Sequence, residues 1–169
     1  MATANKNLSA YDNTAFPKAN EHAFGIVVSE WNDDITEGLY RGAYECLVDC
    51  GVKQENIARF NVPGSFELIN GAYRLHQLNH FDAIIVIGCV IEGETRHFDF
   101  VCDGVTQGIA AMNHQFKVPT VFCVLTDRTK EQSLARSGGE HGNKGVEAAV
   151  TALKMVEFKP VDNLPKPLQ

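Results

Sequence analysis

The fold is indicated most clearly by the run Ala83-Ile-Ile-Val-Ile-Gly-Cys-Val-Ile91, which is almost unbroken in apolar side chains and is bounded by polar sequence. Such a run is typical of a strand in a parallel sheet that is covered by helices on both faces. Thr120–Thr126 repeats the pattern, and two further β-rich runs occur at Phe24–Ser29 and Ile57–Val62. The sequence therefore predicts four strands of one buried parallel sheet.

Segments with helical periodicity separate and follow these strands. Their apolar stripes are Ile35, Leu39, Ala43 and Leu47; Val101, Val105, Ile109, Met112 and Phe116; and Val146, Val150, Leu153 and Val156. Asp34 and Glu37 have the spacing of a capping box, as have Thr129 and Gln132, and Gly51 stands where a helix-ending glycine is expected. The order β-α-β-α-β-α-β-α-α predicts an α/β protein of three layers, a four-stranded parallel sheet with helices on both faces.

Length and composition indicate a single globular domain. The chain has 169 residues, of which 44% are hydrophobic and 21% charged, as in ordinary soluble proteins. We predict a domain over residues 23–159. Residues 1–22 lack apolar periodicity and are predicted to be a flexible arm, and residues 160–169 are predicted to be a C-terminal tail because they are rich in proline.

Charge and cysteine content narrow the classes of partner. A net charge of −6 argues against nucleic acid or an acidic membrane. The five cysteines lack C-x-x-C spacing, so we expect neither a disulfide framework nor a metal site. The first ten residues lack the apolar core of a signal peptide, and no run reaches the roughly 18 apolar residues of a membrane span. We therefore expect a cytoplasmic protein.

Polar and aromatic side chains follow each predicted strand at the point where it ends. Ligands of open parallel sheets bind in the crevice beyond the carboxyl ends of the strands, so we expect these segments to share one site. The segments are Ser29-Glu-Trp-Asn32, Val62-Pro-Gly-Ser-Phe-Glu67, Gly93-Glu-Thr-Arg-His97 and Leu125-Thr-Asp127.

Two aromatic residues are candidates for ligand contact. Trp31 is the only tryptophan and could stack on a heteroaromatic ligand, which is worth about 1–3 kcal/mol. It could equally seal the end of the core. Phe122 has the same two interpretations, and its position inside a strand favours core packing.

The segments after the second and third strands have structural as well as functional interpretations. Ser65 suits a helix N-cap and Glu67 the first helical turn, although a polyol would also need such a grouping. Glu94 and Thr95 precede a predicted helix, where free N–H groups bind phosphate. An ordinary capped helix start explains that segment equally well.

The remaining candidates are ionisable. His97 can move protons near neutral pH, and its place beside the candidate anion site favours it over the other five histidines. Arg136 and Lys144 flank a glycine-rich joint between two helices; arginine suits phosphate and lysine a carbonyl oxygen, although a solvated turn is the alternative. Glu147 lies within pairing distance of Lys144 on one helix. These residues indicate an aromatic, polar and phosphorylated ligand, but no reaction.

Four segments, in this order, resemble the lumazine synthase family. They are Gly25-Ile-Val-Val-Ser-Glu-Trp-Asn-Asp33, Val62-Pro-Gly-Ser-Phe-Glu67, Val90-Ile-Glu-Gly-Glu-Thr-Arg-His-Phe-Asp-Phe100 and Gly142-Asn-Lys-Gly145. The resemblance extends from about Phe24 to Phe158. It implies a flavodoxin-like fold and the condensation of 5-amino-6-ribitylaminouracil with 3,4-dihydroxy-2-butanone 4-phosphate. The product would be 6,7-dimethyl-8-ribityllumazine, in the penultimate step of riboflavin biosynthesis, with no metal or redox cofactor.

The resemblance also implies roles for individual residues, with His97 as the acid–base group. The implied substrate-binding residues are Trp31, Asn32, Ser65, Phe66, Glu67, Val90, Ile91, Glu94, Thr95, Phe122, Arg136, Lys144 and Glu147. The ring of Trp31 would stack on the pyrimidine; Asn32, Ser65 and Glu67 would hold the ribityl hydroxyls.

The backbone of Val90 and Ile91 would line the pyrimidine site, with Lys144 on a ring carbonyl. A neighbouring subunit would contribute Phe122 and the phosphate-binding Arg136, assisted by backbone N–H groups of Glu94 and Thr95. Glu147 would be the acidic partner of His97.

Shared sites imply an oligomer, a pentamer or a 60-subunit icosahedral shell, with riboflavin synthase as a further expected partner. Glu94 departs from the family pattern, since a small residue is more usual there, and Arg96 could offset its charge. Two rivals are a flavodoxin-like FMN protein and a non-catalytic ribityl-ligand binder or shell-forming relative. The acidic loop from Ser29 to Asp34 argues against the first, whereas the second stays open.

Overall fold

The computed structural model describes residues 10–158 and contains a four-stranded parallel sheet in the order β2-β1-β3-β4. The strands are β1 (Phe24–Ser29), β2 (Ile57–Val62), β3 (Ala83–Ile91) and β4 (Thr120–Asp127). The helices are α1 (Asp33–Asp49), α2 (Leu68–Leu78), α3 (His97–Gln115), α4 (Lys130–Arg136) and α5 (Lys144–Val156). The predicted flavodoxin-like α/β sandwich is therefore confirmed.

Side chains alternate across β3, so that its two faces bury two separate apolar cores. Ala83, Ile85 and Ile87 belong to the core beneath α1 and α5. Ile84 and Val86 belong to the core beneath α2 and α3. All five are at most 1% exposed, which explains why the run is apolar at successive positions rather than at every second one.

The predicted stripe of α5 is only partly right. The buried residues of this helix are Gly145, Ala148, Ala149, Ala152 and Leu153, whereas Val146, Val150 and Val156 are half-buried. Small residues are buried in place of the valines because α5 packs closely against α1. A Cβ on Gly145 would clash with the backbone carbonyl oxygen of Leu39. Small side chains face α1 because the two helices approach closely there.

The glycine-rich joint between α4 and α5 forms a short antiparallel hairpin rather than an irregular turn. Its strands are β5 (Ser137–Gly139) and β6 (Gly142–Asn143). The side-chain amide of Asn143 donates to the carbonyl oxygens of Gly38 and Ser137, at 2.9 and 3.2 Å. The hairpin is thereby tied to α1, which fixes the start of α5.

The predicted capping box of α1 is wrong. Asn32 is the N-cap, with the left-handed φ of 61° that asparagine tolerates, so Asp34 lies inside the first turn. Glu37 instead pairs with the guanidinium of Arg59 on β2. The capping box of α4 is confirmed on one side, since the Thr129 hydroxyl accepts from the backbone N–H at position 132 at 3.4 Å.

Residues 10–22 pack on the domain, although the sequence suggests a flexible arm. Phe16 and Ala19 are buried in the core beneath α1 and α5, at 7% and 1% exposed. The hydroxyl of Tyr11 donates to a carboxylate oxygen of Asp49 at 2.9 Å. The domain boundary stays a prediction, and residues 1–9 of the arm and the tail at 160–169 lie outside the described residues.

Candidate active site

A cleft of about 660 Å³ lies beyond the carboxyl ends of β1 and β3, and we call it the first cleft. The chain passes from β1 outward to β2 and then back across to β3, so the cleft is at the topological switch point where such sheets bind ligands. Its lining residues are Trp31, Asn32, Gly64, Ser65, Phe66, Glu67, Cys89, Val90, Ile91, His97, Phe100 and Val101. Eight of the predicted site residues are among them.

Two polar side chains of the first cleft converge on one backbone carbonyl. Asn32 Nδ2 donates to the carbonyl oxygen of Cys89 at 3.0 Å, and Ser65 Oγ donates to the same oxygen at 3.4 Å. Ser65 is therefore a buried link between the second and third strand ends and not the predicted helix cap, because α2 begins only at Leu68. The two contacts hold the segments after β1 and β2 against β3.

The walls of the cleft carry exposed aromatic rings. Trp31 is 73% exposed, Phe66 52% and Phe100 67%. Trp31 therefore does not seal the core, which was the structural alternative for it. A flat ring that remains open to solvent at a strand end is free to stack on a planar ligand.

The ionisable groups of the first cleft are few. Its lining contains His97, at the first residue of α3, and Glu67, but no lysine or arginine among the described residues. Glu94 and Thr95 are exposed in the loop before α3 and do not line the cleft. Arg96 pairs with Asp99 at 3.3 Å, so it is engaged elsewhere and not with Glu94.

A second cleft of about 610 Å³ follows the exposed edge of β4. It is also lined by α5, from Lys144 to Met155, and by Arg136 at the end of α4. Four predicted site residues lie in it: Phe122, Arg136, Lys144 and Glu147. Phe122 is 40% exposed, so the core position favoured for it by its strand location is wrong. Within residues 10–158, no strand pairs with the outer edge of β4 and covers that ring.

Both cations of the second cleft have acidic neighbours. Lys144 Nζ donates to both carboxylate oxygens of Glu147 at 2.8 Å, as its helix spacing predicts. Arg136 Nε lies 3.8 Å from Asp127 Oδ1, at the end of β4. Burial raises the pKa of Cys123, which also lines this cleft, to about 12, so its thiol stays protonated at neutral pH.

The two clefts share no lining residue. Within one chain, Glu147 and Lys144 line the second cleft, whereas His97, Val90 and Ile91 line the first. The ends of β3 and β4 pair with each other, since Ile91 lies opposite Asp127, but the outer side of the edge strand β4 forms a surface of its own. One chain thus presents one cleft with exposed aromatic rings and hydrogen-bonding side chains and a separate cleft that contains Arg136 and Lys144.

Among the lining residues that were not predicted as site residues, three make contacts or expose a ring in these clefts. Cys89 carries the carbonyl that Asn32 and Ser65 bind, Phe100 supplies an exposed ring, and Asp127 faces Arg136. Asp127 could have been found, since it ends a strand-terminal segment. Cys89 gives no sequence signal, because its backbone oxygen and not its side chain makes the contacts.

No cluster of three or more His, Cys, Asp or Glu side chains suited to a metal ion occurs among residues 10–158. Over the same residues, no helix combines the length and the apolar character needed to cross a membrane.

Comparison with known proteins extends over nearly the whole domain. The family model for 6,7-dimethyl-8-ribityllumazine synthase matches residues 21–160. A 6,7-dimethyl-8-ribityllumazine synthase of Flavobacterium johnsoniae is 62% identical, covering 94% of this chain and 84% of the relative. Relatives of the same name from Flavobacterium psychrophilum and Parabacteroides distasonis are 59% and 56% identical, covering 97% and 94% of this chain and 87% and 99% of theirs. On this evidence the chain belongs to the 6,7-dimethyl-8-ribityllumazine synthase family.

Proposed function

We propose that this chain condenses 5-amino-6-ribitylaminouracil with 3,4-dihydroxy-2-butanone 4-phosphate to give 6,7-dimethyl-8-ribityllumazine. The observation that carries the proposal is the composition of the first cleft. An exposed indole ring, hydrogen-bonding side chains and one histidine meet at the switch point of the sheet. The ring suits a pyrimidine, and Asn32, Ser65 and Glu67 suit ribityl hydroxyls, which need both donors and acceptors. Phe66 and the strand end at Val90 and Ile91 form the remaining wall.

A complete site takes its first cleft from one chain and its second cleft from a neighbour. The first cleft has no lysine or arginine among its described lining residues, although one substrate carries a phosphate. The second cleft of the neighbour supplies Arg136 for that phosphate, Phe122 as a second ring and Lys144 for a ring carbonyl. Glu147 would then reach His97 across the interface, and the backbone of Glu94 and Thr95 would complete the phosphate site.

A site formed by the first cleft of one chain and the second cleft of the next requires a head-to-tail contact between two different surfaces. Head-to-tail contacts that close on themselves give a ring of subunits. We propose a pentamer, with a 60-subunit shell as a higher form, and riboflavin synthase as a partner that consumes the product. A location in the cytoplasm is part of the same proposal.

The reaction proceeds by proton transfers and eliminations that His97 can serve. The primary amine of the pyrimidine attacks the ketone, and water leaves to form an imine. Phosphate is then eliminated, the second ring closes, and a second water leaves. Holding the two substrates in register supplies several kcal/mol by orientation alone, and a positioned acid–base group adds about 10²–10⁴-fold in rate.

The test is turnover of the two substrates by the purified protein, followed by the absorbance of the lumazine. His97→Ala should lower kcat about 10²–10⁴-fold. The matched control is His114→Ala, which changes an exposed histidine of the same helix outside both clefts. Product formation no faster than the uncatalysed rate, with the ring ligand still bound, would favour the non-catalytic binder instead.

A further inference from the structure

A continuous line of polar contacts runs from the first cleft to Arg136. Asn32 Nδ2 donates to the carbonyl oxygen of Cys89 at 3.0 Å, and the thiol of Cys89 donates to Ser133 Oγ at 3.4 Å. Ser133 Oγ in turn donates to Asp127 Oδ2 at 2.8 Å, and the other carboxylate oxygen lies 3.8 Å from Arg136 Nε. The carboxylate of Asp127 is thus held on one side and faces the guanidinium on the other.

The guanidinium of Arg136 is anchored on its inner side. Its Nη1 donates to the backbone carbonyl oxygen of Gln132 at 2.8 Å, and its Nε faces Asp127. Its Nη2 has no partner among residues 10–158, and the side chain is 26% exposed. Because a guanidinium carries five N–H donors in a fixed plane, the outer edge of the fork remains available for an anion.

The Ser133 hydroxyl, which donates to the carboxylate, is inaccessible to a substrate. Ser133 is fully buried, and the side chain of Asp127 is 14% exposed. Burial raises the pKa of the Cys89 thiol, so it stays protonated and can act as a donor to Ser133. Any effect of Ser133 on catalysis must therefore pass through Asp127 or the surrounding backbone.

We propose that Asp127, held by Ser133, is a positioning residue that fixes the guanidinium of Arg136 for the phosphate group of the substrate. The inference rests on the proposed function of Arg136. A pre-set arginine loses little side-chain freedom when the anion binds, whereas an unrestrained arginine must be ordered at that moment.

Positioning of Arg136 and electrostatic repulsion by Asp127 have opposite effects on phosphate binding. A carboxylate near a phosphate repels it, so a purely electrostatic bystander at position 127 would weaken phosphate binding and its removal would strengthen it. A positioning role predicts the reverse, a loss of phosphate affinity when the charge is removed. The sign of the change therefore separates the two.

The experiment compares Asp127→Asn and Ser133→Ala with Glu131→Gln, which removes an exposed carboxylate from the same helix as Arg136. In the full-length protein, Asp127→Asn should raise the KM for the butanone phosphate about tenfold. Ser133→Ala should change it in the same direction, to a smaller extent. The KM for the pyrimidine substrate and the kcat should stay within about twofold, and Glu131→Gln should behave as wild type.

Calorimetric titration with inorganic phosphate measures phosphate binding without turnover. It therefore tests the positioning role of Asp127 independently of whether the protein makes lumazine. Weaker phosphate binding by both variants supports the positioning role, even if the wild type fails to make lumazine. Unchanged or tighter phosphate binding by Asp127→Asn overturns it, as does an equal change in the KM for both substrates. If Asp127→Asn does not fold, Ser133→Ala carries the test by the same criteria.

Discussion

Replacing Trp31 by alanine removes the flat surface on which the pyrimidine is proposed to stack, and its cost can be worked from the exposure of the ring. The side chain is 73% exposed, which is about 180 Å² of the roughly 250 Å² of a tryptophan. A ligand on one face covers about half of that, and about 90 Å² at about 25 cal/mol per Å² gives about 2 kcal/mol. Trp31→Ala should therefore weaken binding of the ring ligand about 30-fold.

Titration calorimetry with the lumazine product measures this loss directly. Trp31→Phe keeps an aromatic face and should lose less affinity than Trp31→Ala. Because Trp31 is the only tryptophan, its fluorescence in the wild type gives a second readout and should be quenched as the ligand binds. Phe158→Ala is the matched control, since it removes a ring that is 81% exposed and lines neither cleft.

The free energy of unfolding should change by no more than about 0.5 kcal/mol in Trp31→Ala, because the ring is exposed in the free chain. Equal affinity of Trp31→Ala and the wild type for the product would refute the stacking role. A fluorescence spectrum that does not respond to saturating ligand would refute it as well.

Three further outcomes test the fold. Arg59 lowers the pKa of Glu37 below its ordinary value of 4.5, so this pair stabilises the fold above that pH and its contribution is lost as the pH falls through the lower folded-state pKa. Glu37→Gln should therefore cost about 0.2–1 kcal/mol in urea unfolding at pH 7 and nothing under strongly acidic conditions; a cost independent of pH would contradict this. Gly145→Ala should lower the free energy of unfolding by about 3 kcal/mol or more, whereas Gly93→Ala, whose Cβ would meet nothing within 4 Å, should lower it by less than about 1 kcal/mol. Similar urea midpoints for the two variants would be inconsistent with close packing of α5 against α1. Burial raises the pKa values of the cysteine thiols, that of Cys123 to about 12. A thiol reagent at pH 8 should therefore label at most about one of the five cysteines in the folded protein and all five after unfolding. Rapid labelling of several cysteines in the folded protein would disprove this prediction.

The sheet was predictable because burial on both faces leaves a direct signature in sequence. The predicted bounds of the first three strands agree with the structure, and β4 is one residue longer, ending at Asp127. The face of α5 was harder to predict, since its contact with α1 is made by glycine and alanine. Those residues carry little hydrophobic periodicity, so the larger half-buried valines dominated the pattern.

Most residues of the first cleft could be predicted from the sequence. The position of the second cleft could not, because it depends on which strand lies at the edge of the sheet. The strand ends predicted most members of the first cleft, because β1 and β3 are neighbours and the direction in which strands are added to the sheet reverses between them. Glu94 and Thr95 are the exceptions, since they do not line this cleft. The position of Phe122 within a strand favours core packing, whereas the resemblance implies substrate contact; the outer side of an edge strand is open, and the ring is 40% exposed there. Contacts made through backbone atoms, such as those to the carbonyl of Cys89, are independent of side-chain identity and leave no pattern to read.

A mixed oligomer of two inactive variants tests the division of the site between chains most directly. The His97→Ala variant has a damaged first cleft and an intact second cleft. The Arg136→Ala variant has an intact first cleft and a damaged second cleft. The two chains carry different tags, are produced together in equal amounts, and are purified through both tags in succession. Each variant alone is the control for residual turnover.

If each site is divided between two chains, the mixed oligomer should recover about one quarter of the wild-type turnover per site. Random pairing places an intact first cleft beside an intact second cleft in about one interface in four. Turnover no higher than that of the two separate variants would rule out a divided site, because it would mean that His97 and Arg136 must belong to the same chain.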